Sequence, residues 1–297
     1  PQPGLQGAWG EASKGHSISM QGFPTPNVIL VGTPRFDHYY QVRDQQIPSP
    51  FAHPYILFVG CSIPFDDTAT LEIIDKEITD HPDIYGQTKV VYRPHPWRRD
   101  RVAEAPFRSE NFKSVVLDPQ LAKNYERGKG WIASFQPDVS YYPGLLKNAK
   151  LVVGPLTTML MEALIFRREV VALAYDDGLH YTSPDKALKY YAHFEGLERL
   201  AGLAFSHKQA QLDKLMRQSY QRIITGENRI SDINYFLYND TRPYPQRLAD
   251  FATQTLGAHH EQPSASARAV NQQQLRRAKF TLREALLDAL LPANERT

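Results

Sequence analysis

Two short apolar runs, Asn27–Gly32 (NVILVG) and Tyr55–Gly60 (YILFVG), stand out along the chain, each rich in β-formers and closed by Gly. Runs without polar alternation suit strands buried on both faces of a parallel sheet, so both are expected as central strands. Between them Arg43–Pro54 is polar and proline-bearing. It reads as a linker with a boundary near 45–54, and the first strand is then free to belong to a different layer. From Tyr55 onward strand and helix patterns alternate. Thr68–Thr79 carries Leu71, Ile74 and Ile78 on one helical face, Lys89–Arg93 and Ser114–Leu117 read as strands, and Tyr142–Ala149 as a short helix. Leu151–Val153, Thr157–Phe166 and Val170–Ala174 then give strand, helix and strand. This βαβ rhythm predicts at least five strands in one mainly parallel α/β sheet with helices on both faces, a Rossmann-like fold.

Ligands of such sheets bind beyond the carboxyl ends of the strands. The loops opening at Gly60, Arg93, Asp118, Gly154 and Tyr175 are therefore where chemistry is expected. After Ser183 the pattern turns helical, near Ala187–Tyr191 and Gln209–Ile224. Residues 257–274, with His-His, Ser and a Gln run, read as a flexible linker, followed by an amphipathic helix Leu275–Leu291 with Leu282, Leu286 and Leu290 on one stripe. Arg276, Arg277, Lys279 and Arg283 make its start basic. It packs back on the protein or touches an anionic membrane surface, and both readings stay open. The expected organisation is thus residues 1–50 as remnant of a first domain and linker, 51–256 as the Rossmann-like domain, and 257–297 as linker and helix.

At 297 residues with 42% hydrophobic content the chain can build an ordinary core. A formal charge of +2, from 34 basic and 32 acidic residues, argues against a general polyanion binder, so nucleic acid is not expected as a partner. The lone cysteine, Cys61, excludes an intramolecular disulfide and fits a reducing, cytoplasmic setting. No apolar run approaches the roughly 20 residues of a bilayer span, and the Pro-Gln-Pro start lacks an initiator Met and a signal sequence, so the chain reads as trimmed.

Two segments carry most of the candidate chemistry. In Leu151–Leu173 (LVVGPLTTMLMEALIFRREVVAL), Gly154-Pro155 breaks the strand, and Thr157 and Thr158 sit where the next helix begins. Their hydroxyls, the free N–H groups of that turn and the helix dipole suit a phosphate. A plain N-cap is the structural alternative. Glu162, one turn beyond Thr158 on the same face, is placed to accept from the hydroxyls of a ribose. In Lys89–Arg98 (KVVYRPHPWR) a strand runs into Pro94-His95-Pro96, with Arg93 and Arg98 beside it. Two prolines hold His95 rigid, and the arginines are expected to lower its pKa until a phosphate reverses the effect. His95 then serves as donor or general acid to a leaving phosphate, with Arg93 or Arg98 neutralising charge.

The pairing of Arg-Pro-His-Pro at one strand end with Gly-Pro-Leu-Thr-Thr-Met-Leu-Met-Glu-Ala at a later crossover resembles the donor-binding domain of two-domain (GT-B) glycosyltransferases. It is most similar to bacterial surface-polysaccharide enzymes that use cytidine nucleotides: sialyltransferases, Kdo transferases and CDP-glycerol glycerophosphotransferases. The resemblance, over roughly Val28 to Tyr181, implies that His95, Thr157 and Thr158 contact the donor phosphate. It also implies transfer of a sugar from a donor such as CMP-Kdo or CMP-sialic acid to a polysaccharide or glycolipid acceptor. Trp9-Gly10-Glu11 and Val31–Asp37 look like the passage out of such an enzyme's first domain, leaving the acceptor-binding part to be supplied by another domain or chain. A glycerophosphotransferase, a nucleotide-sugar epimerase and a non-catalytic nucleotide-sugar-binding module remain as alternatives.

Ser62, Asp66, Asp176, Asp177 and His180 lie in loops at the same strand ends and are candidates for sugar or acceptor contacts, with helix capping or a turn as the alternative. Tyr175 and Tyr181 are candidates to stack on a base or sugar ring. Neither Asp66-Asp67 nor Asp176-Asp177 forms an Asp-x-Asp, and no His/Cys cluster has ligand spacing, so no metal and no cofactor beyond the nucleotide-sugar substrate is expected.

Overall fold

The computed structural model describes residues 4–95, 107–126, 138–191, 194–227, 229, 232–240 and 242–258. In chain order the elements are β1 (Gln6–Ala8), α1 (Glu11–Ser19), β2 (Val28–Leu30), α2 (Pro34–Val42), β3 (Tyr55–Val59), α3 (Asp67–Asp80), α4 (Pro82–Tyr85), β4 (Lys89–Arg93) and β5 (Val115–Leu117). They continue with α5 (Pro119–Glu126), α6 (Tyr141–Asn148), β6 (Leu151–Pro155), α7 (Thr158–Ile165), β7 (Glu169–Leu173), α8 (Pro184–Tyr190), β8 (Leu203–Ser206), α9 (Leu212–Thr225) and α10 (Tyr244–Ala258). Two compact units result: one joins the described residues up to Asp37 with those from Asn234 to Ala258, and the other is His38–Ile233.

The larger unit is a six-stranded sheet in the order β5-β4-β3-β6-β7-β8, parallel throughout. Every residue of β3, β6 and β7 is buried, as their unbroken apolar runs require. Successive side chains alternate between faces. On one face Ile56, Phe58, Val90, Tyr92, Leu151, Val153, Val171 and Leu173 pack with Leu71, Ile74 and Ile78 of α3 and Leu212, Met216 and Tyr220 of α9. Toward α6 on the other face, the Tyr55 hydroxyl donates to Leu145 O at 2.6 Å. The chain steps outward from β3 through β4 to β5, then returns and steps the opposite way from β6 through β7 to β8. With right-handed crossovers the helices following β3 and β6 therefore fall on opposite faces. The reversal lies between β3 and β6.

In the smaller unit β1 and β2 pair in parallel, and α10 closes it: the Arg247 guanidinium donates to Asp37 Oδ1 and to Val31 O, both at 2.9 Å.

Several expectations change. Asn27–Gly32 gives only the three-residue β2, paired with β1 outside the main sheet. Leu203–Ser206 adds a sixth strand in a stretch expected to be helical. β6 runs through Gly154-Pro155 instead of ending there, with Pro155 opposite Leu173. By compactness the units divide at 37/38 and 233/234. The expected linker 257–274 begins inside α10, and the expected helix Leu275–Leu291 lies outside the described residues. No described helix is long and apolar enough to cross a membrane.

Candidate functional site at the sheet's carboxyl edge

All strands of the main sheet point the same way, so the loops leaving β4, β3, β6 and β7 emerge side by side. They carry His95, then Ser62 and Asp66, then Thr157 and Thr158, then Asp176, Asp177 and His180. Neighbouring strands are about 4.8 Å apart, so the β4 and β6 exits are separated by roughly 10 Å across β3. Two glycines make this edge tight. A Cβ on Gly154 would lie 2.2 Å from Val59 O, and one on Gly60 would lie 2.8 Å from His95 N. No side chain fits at either position, and β3 is gripped between the two flanking exits at the point where the topology reverses.

Thr157 occupies the N-cap of α7 with extended backbone (φ −145°, ψ 155°), yet its side chain makes no capping hydrogen bond. A free hydroxyl there, with Thr158 exposed beside it, is what anion recognition requires and what a simple cap would have consumed. Glu162 faces inward and is 1% exposed. Contact between its carboxylate and a ribose requires the surrounding side chains to move.

Behind the β6 exit the loops from β3 and β7 meet. Asp177 Oδ2 accepts from Asp66 N at 2.8 Å and lies 2.7 Å from His180 Nδ1, while its Oδ1 accepts from the backbone N–H groups of Leu179 (3.0 Å) and His180 (3.1 Å). Burial pushes this carboxyl's pKa up, but those hydrogen bonds outweigh it and hold the group below its usual range. Asp66 in turn caps α3, accepting from Ala69 N at 3.0 Å. The Tyr175 hydroxyl lies 2.9 Å from Thr70 Oγ1, and its ring packs edge-on against Phe65. Since β3 and β7 flank β6, this brace crosses the end of β6. Asp66 and Asp177 are thereby committed to holding loops, and buried Tyr175 is core, not a stacking platform. Ser62, Asp176 and Tyr181 stay exposed.

Arg93 departs most from expectation. Its guanidinium is 2% exposed and pairs with Asp118, itself 0% exposed. It also donates to Gln120 Oε1 at 2.7 Å and to the Tyr142 hydroxyl at 2.9 Å, and lies 4.7 Å from the Tyr142 ring centroid. Alternation along β4 turns Arg93 toward α6, so it anchors the strand end and does not reach into the crevice. A cation so neutralised does not set the charge at His95; burial lowers the half-buried imidazole's pKa instead. Arg98 lies outside the described residues. Asp118, Tyr142 and Gln120 escaped sequence reading because nothing local marks a residue as the partner of an arginine 25 or more positions away. Among the described residues no group of three His, Cys, Asp or Glu side chains is placed to hold a metal ion.

No protein-family model matches the chain, and no curated protein sequence matches it. Solved structures do. The Staphylococcus aureus protein MnaA, in a co-structure with UDP, superposes over 88% of this chain and 61% of its own with a TM-score of 0.50 at 16% identity. The fold is shared. The UDP-GlcNAc 2-epimerase of Methanocaldococcus jannaschii, in complex with UDP-GlcNAc and UDP, follows at TM-score 0.49 and 13% identity over 84% of this chain and 61% of that one. The wall teichoic acid polymerase TagF has a TM-score of 0.40 at 13% identity, over 94% of this chain and 58% of its own. The chain therefore spans about three fifths of the length of these proteins. At 16% identity the superposition on MnaA shows the fold alone, Rossmann-like α/β.

Proposed function

We propose that the larger unit binds a nucleotide-activated sugar at the carboxyl edge of its sheet and serves as the donor-binding part of a glycosyltransferase, a CMP-linked sugar such as CMP-Kdo or CMP-sialic acid being the donor. The observation that carries this reading is the β6–α7 turn. Gly154 packs on Val59 at the topological reversal, and beyond it the Thr157 hydroxyl makes no capping hydrogen bond, which leaves it available to a ligand. In this reading Thr157, Thr158 and the first turn of α7 take the phosphates, and His95 meets charge developing on the departing phosphate. Arg98 supplies the cation that buried Arg93 does not, Glu162 takes the ribose, and Ser62, Asp176 and His180 border the sugar. The acceptor, a polysaccharide or glycolipid, is met together with a further domain or chain. No metal takes part.

The second reading is a uridine nucleotide, favoured by the UDP held in the MnaA co-structure, and with it comes the epimerase alternative; a glycerophosphotransferase stays with the cytidine reading, and product analysis separates both from a sugar transfer. A thermal-shift screen tests the whole. A ligand at 100 times its Kd stabilises by about 2.7 kcal/mol, so CMP is expected to raise Tm above AMP or GMP, with or without EDTA. Equal shifts from all nucleotides, or none from any, overturn the reading.

A further inference from the structure

Among the described residues, four of the ten exposed large hydrophobic side chains fall between residues 179 and 191: Leu179, Tyr181, Tyr190 and Tyr191. Isolated exposed apolar side chains need no explanation, but such a cluster does. It follows the exit of β7 and runs along α8, starting from the crevice edge. Tyr181 is 59% exposed and Tyr190 67%. Both rings are held by cations: Lys186 Nζ lies 5.0 Å from the Tyr181 ring centroid and Lys189 Nζ 5.1 Å from that of Tyr190. The Lys186 ammonium also donates to Tyr181 O at 2.7 Å, which fixes it over the ring. Lys186 and Tyr190 are one helical turn apart, so their side chains share one side of α8. Tyr181, Lys186, Tyr190 and Lys189 therefore form a continuous strip of aromatic faces and ammonium groups.

We propose that this strip binds an acidic oligosaccharide chain. The exposed tyrosine rings meet the C–H side of sugar rings, and the lysines meet carboxylates on the chain. The charge balance supports that occupant: Lys186 is shared with Asp176 at 3.7 Å and Asp185 is taken by the Ser183 hydroxyl, whereas Lys189 makes no ion pair with a described residue. A protein partner fits less well, because lysine is depleted from the buried centres of protein interfaces. An anionic bilayer fits less well too, because Asp176 and Asp185 stand beside the strip and Leu179 is its sole aliphatic member. The inference rests on the donor-site reading, in which a growing glycan is handled at this edge.

The test measures binding of fluorescein-labelled oligogalacturonate, oligosialate and dextran oligomers to the full chain, with the CMP-induced melting shift recorded on every variant. The wild-type chain is expected to bind at least one acidic oligomer more tightly than dextran. Tyr190→Ala should weaken that binding several-fold, and Lys189→Gln should weaken it and reduce its salt sensitivity, both with unchanged Tm and unchanged CMP shift. Failure of the wild type to bind either acidic oligomer, full binding by both variants, or preference for phosphatidylglycerol vesicles overturns the proposal. Loss of the CMP shift in the wild type strikes the donor-site reading instead, so the two failures are told apart.

Discussion

Thr157 and Asp118 make opposite forecasts, because one side chain is open to ligand and the other sealed in protein. Thr157→Ala and Thr158→Ala should each cost ten- to a hundredfold in nucleotide affinity, the roughly 1.5–3 kcal/mol of a charge-assisted hydrogen bond. Both should leave Tm nearly unchanged, since Thr157 caps nothing with its side chain. Asp118→Ala strands the buried Arg93 charge and should cost about 3–5 kcal/mol of stability by denaturant titration. His95 makes a forecast in pH. Its folded pKa lies below the ordinary value of about 6.5, so the unfolded chain takes the proton first and this group's contribution to stability falls as pH drops below that range. A bound phosphate favours the protonated imidazole and opposes the loss. The stabilisation by CMP should therefore be larger at pH 6 than at pH 8, and His95→Ala should flatten the difference; an equal shift at both pH values in the wild type removes His95 from the phosphate. The residue types at the site were readable from His-Pro and Thr-Thr alone. Whether a charge is free was not, since Arg93 looks the same in sequence whether it meets a phosphate or Asp118.

Among the elements, those with a long-range reason to be apolar were the legible ones. β3, β6 and β7 announce themselves because a strand covered on both faces can tolerate almost no polar residue, and α3 shows its Leu71, Ile74 and Ile78 stripe. β8 did not show itself, because an edge strand needs only one strand neighbour and LAFS is short and half-buried. β2 misled for the converse reason: NVILVG has the composition of a core strand, but its residues Ile29 and Leu30 are only partly buried in a two-stranded pair. The β6–β3 contact makes its own prediction. Gly154→Ala places a methyl about where Val59 O already sits, so the two strands must part. The variant should lose several kcal/mol, as overpacked cores do when the obstacle is backbone, and should lose nucleotide binding with it. Retention of both native Tm and CMP binding in Gly154→Ala would contradict the close approach.

For the whole molecule, the division into two units predicts two independent levels of protection. Arg247 is 3% exposed and pairs with Asp37. Its replacement by Ala should open the smaller unit by about 3–5 kcal/mol, while amides of β3, β6 and β7 keep their hydrogen-exchange protection. Uniform loss of protection would mean the units do not unfold separately. This organisation was illegible in the sequence: no local pattern says that the segment around Val31–Asp37 is completed by residues beyond 234.

The same pairing sets an order of events on the ribosome. Asp37 leaves the exit tunnel early and Arg247 follows 210 residues later, whereas the parallel sheet needs only the continuous stretch from His38 to Ile233. The sheet is therefore in a position to fold during synthesis while Asp37 still lacks its Arg247 partner. Ribosome-bound chains stalled once Ile233 has cleared the tunnel, with Arg247 still inside it, should resist protease within the sheet and be cut ahead of Asp37. The smaller unit is thus the later of the two to be completed, and until Arg247 emerges the carboxylate of Asp37 waits for that guanidinium.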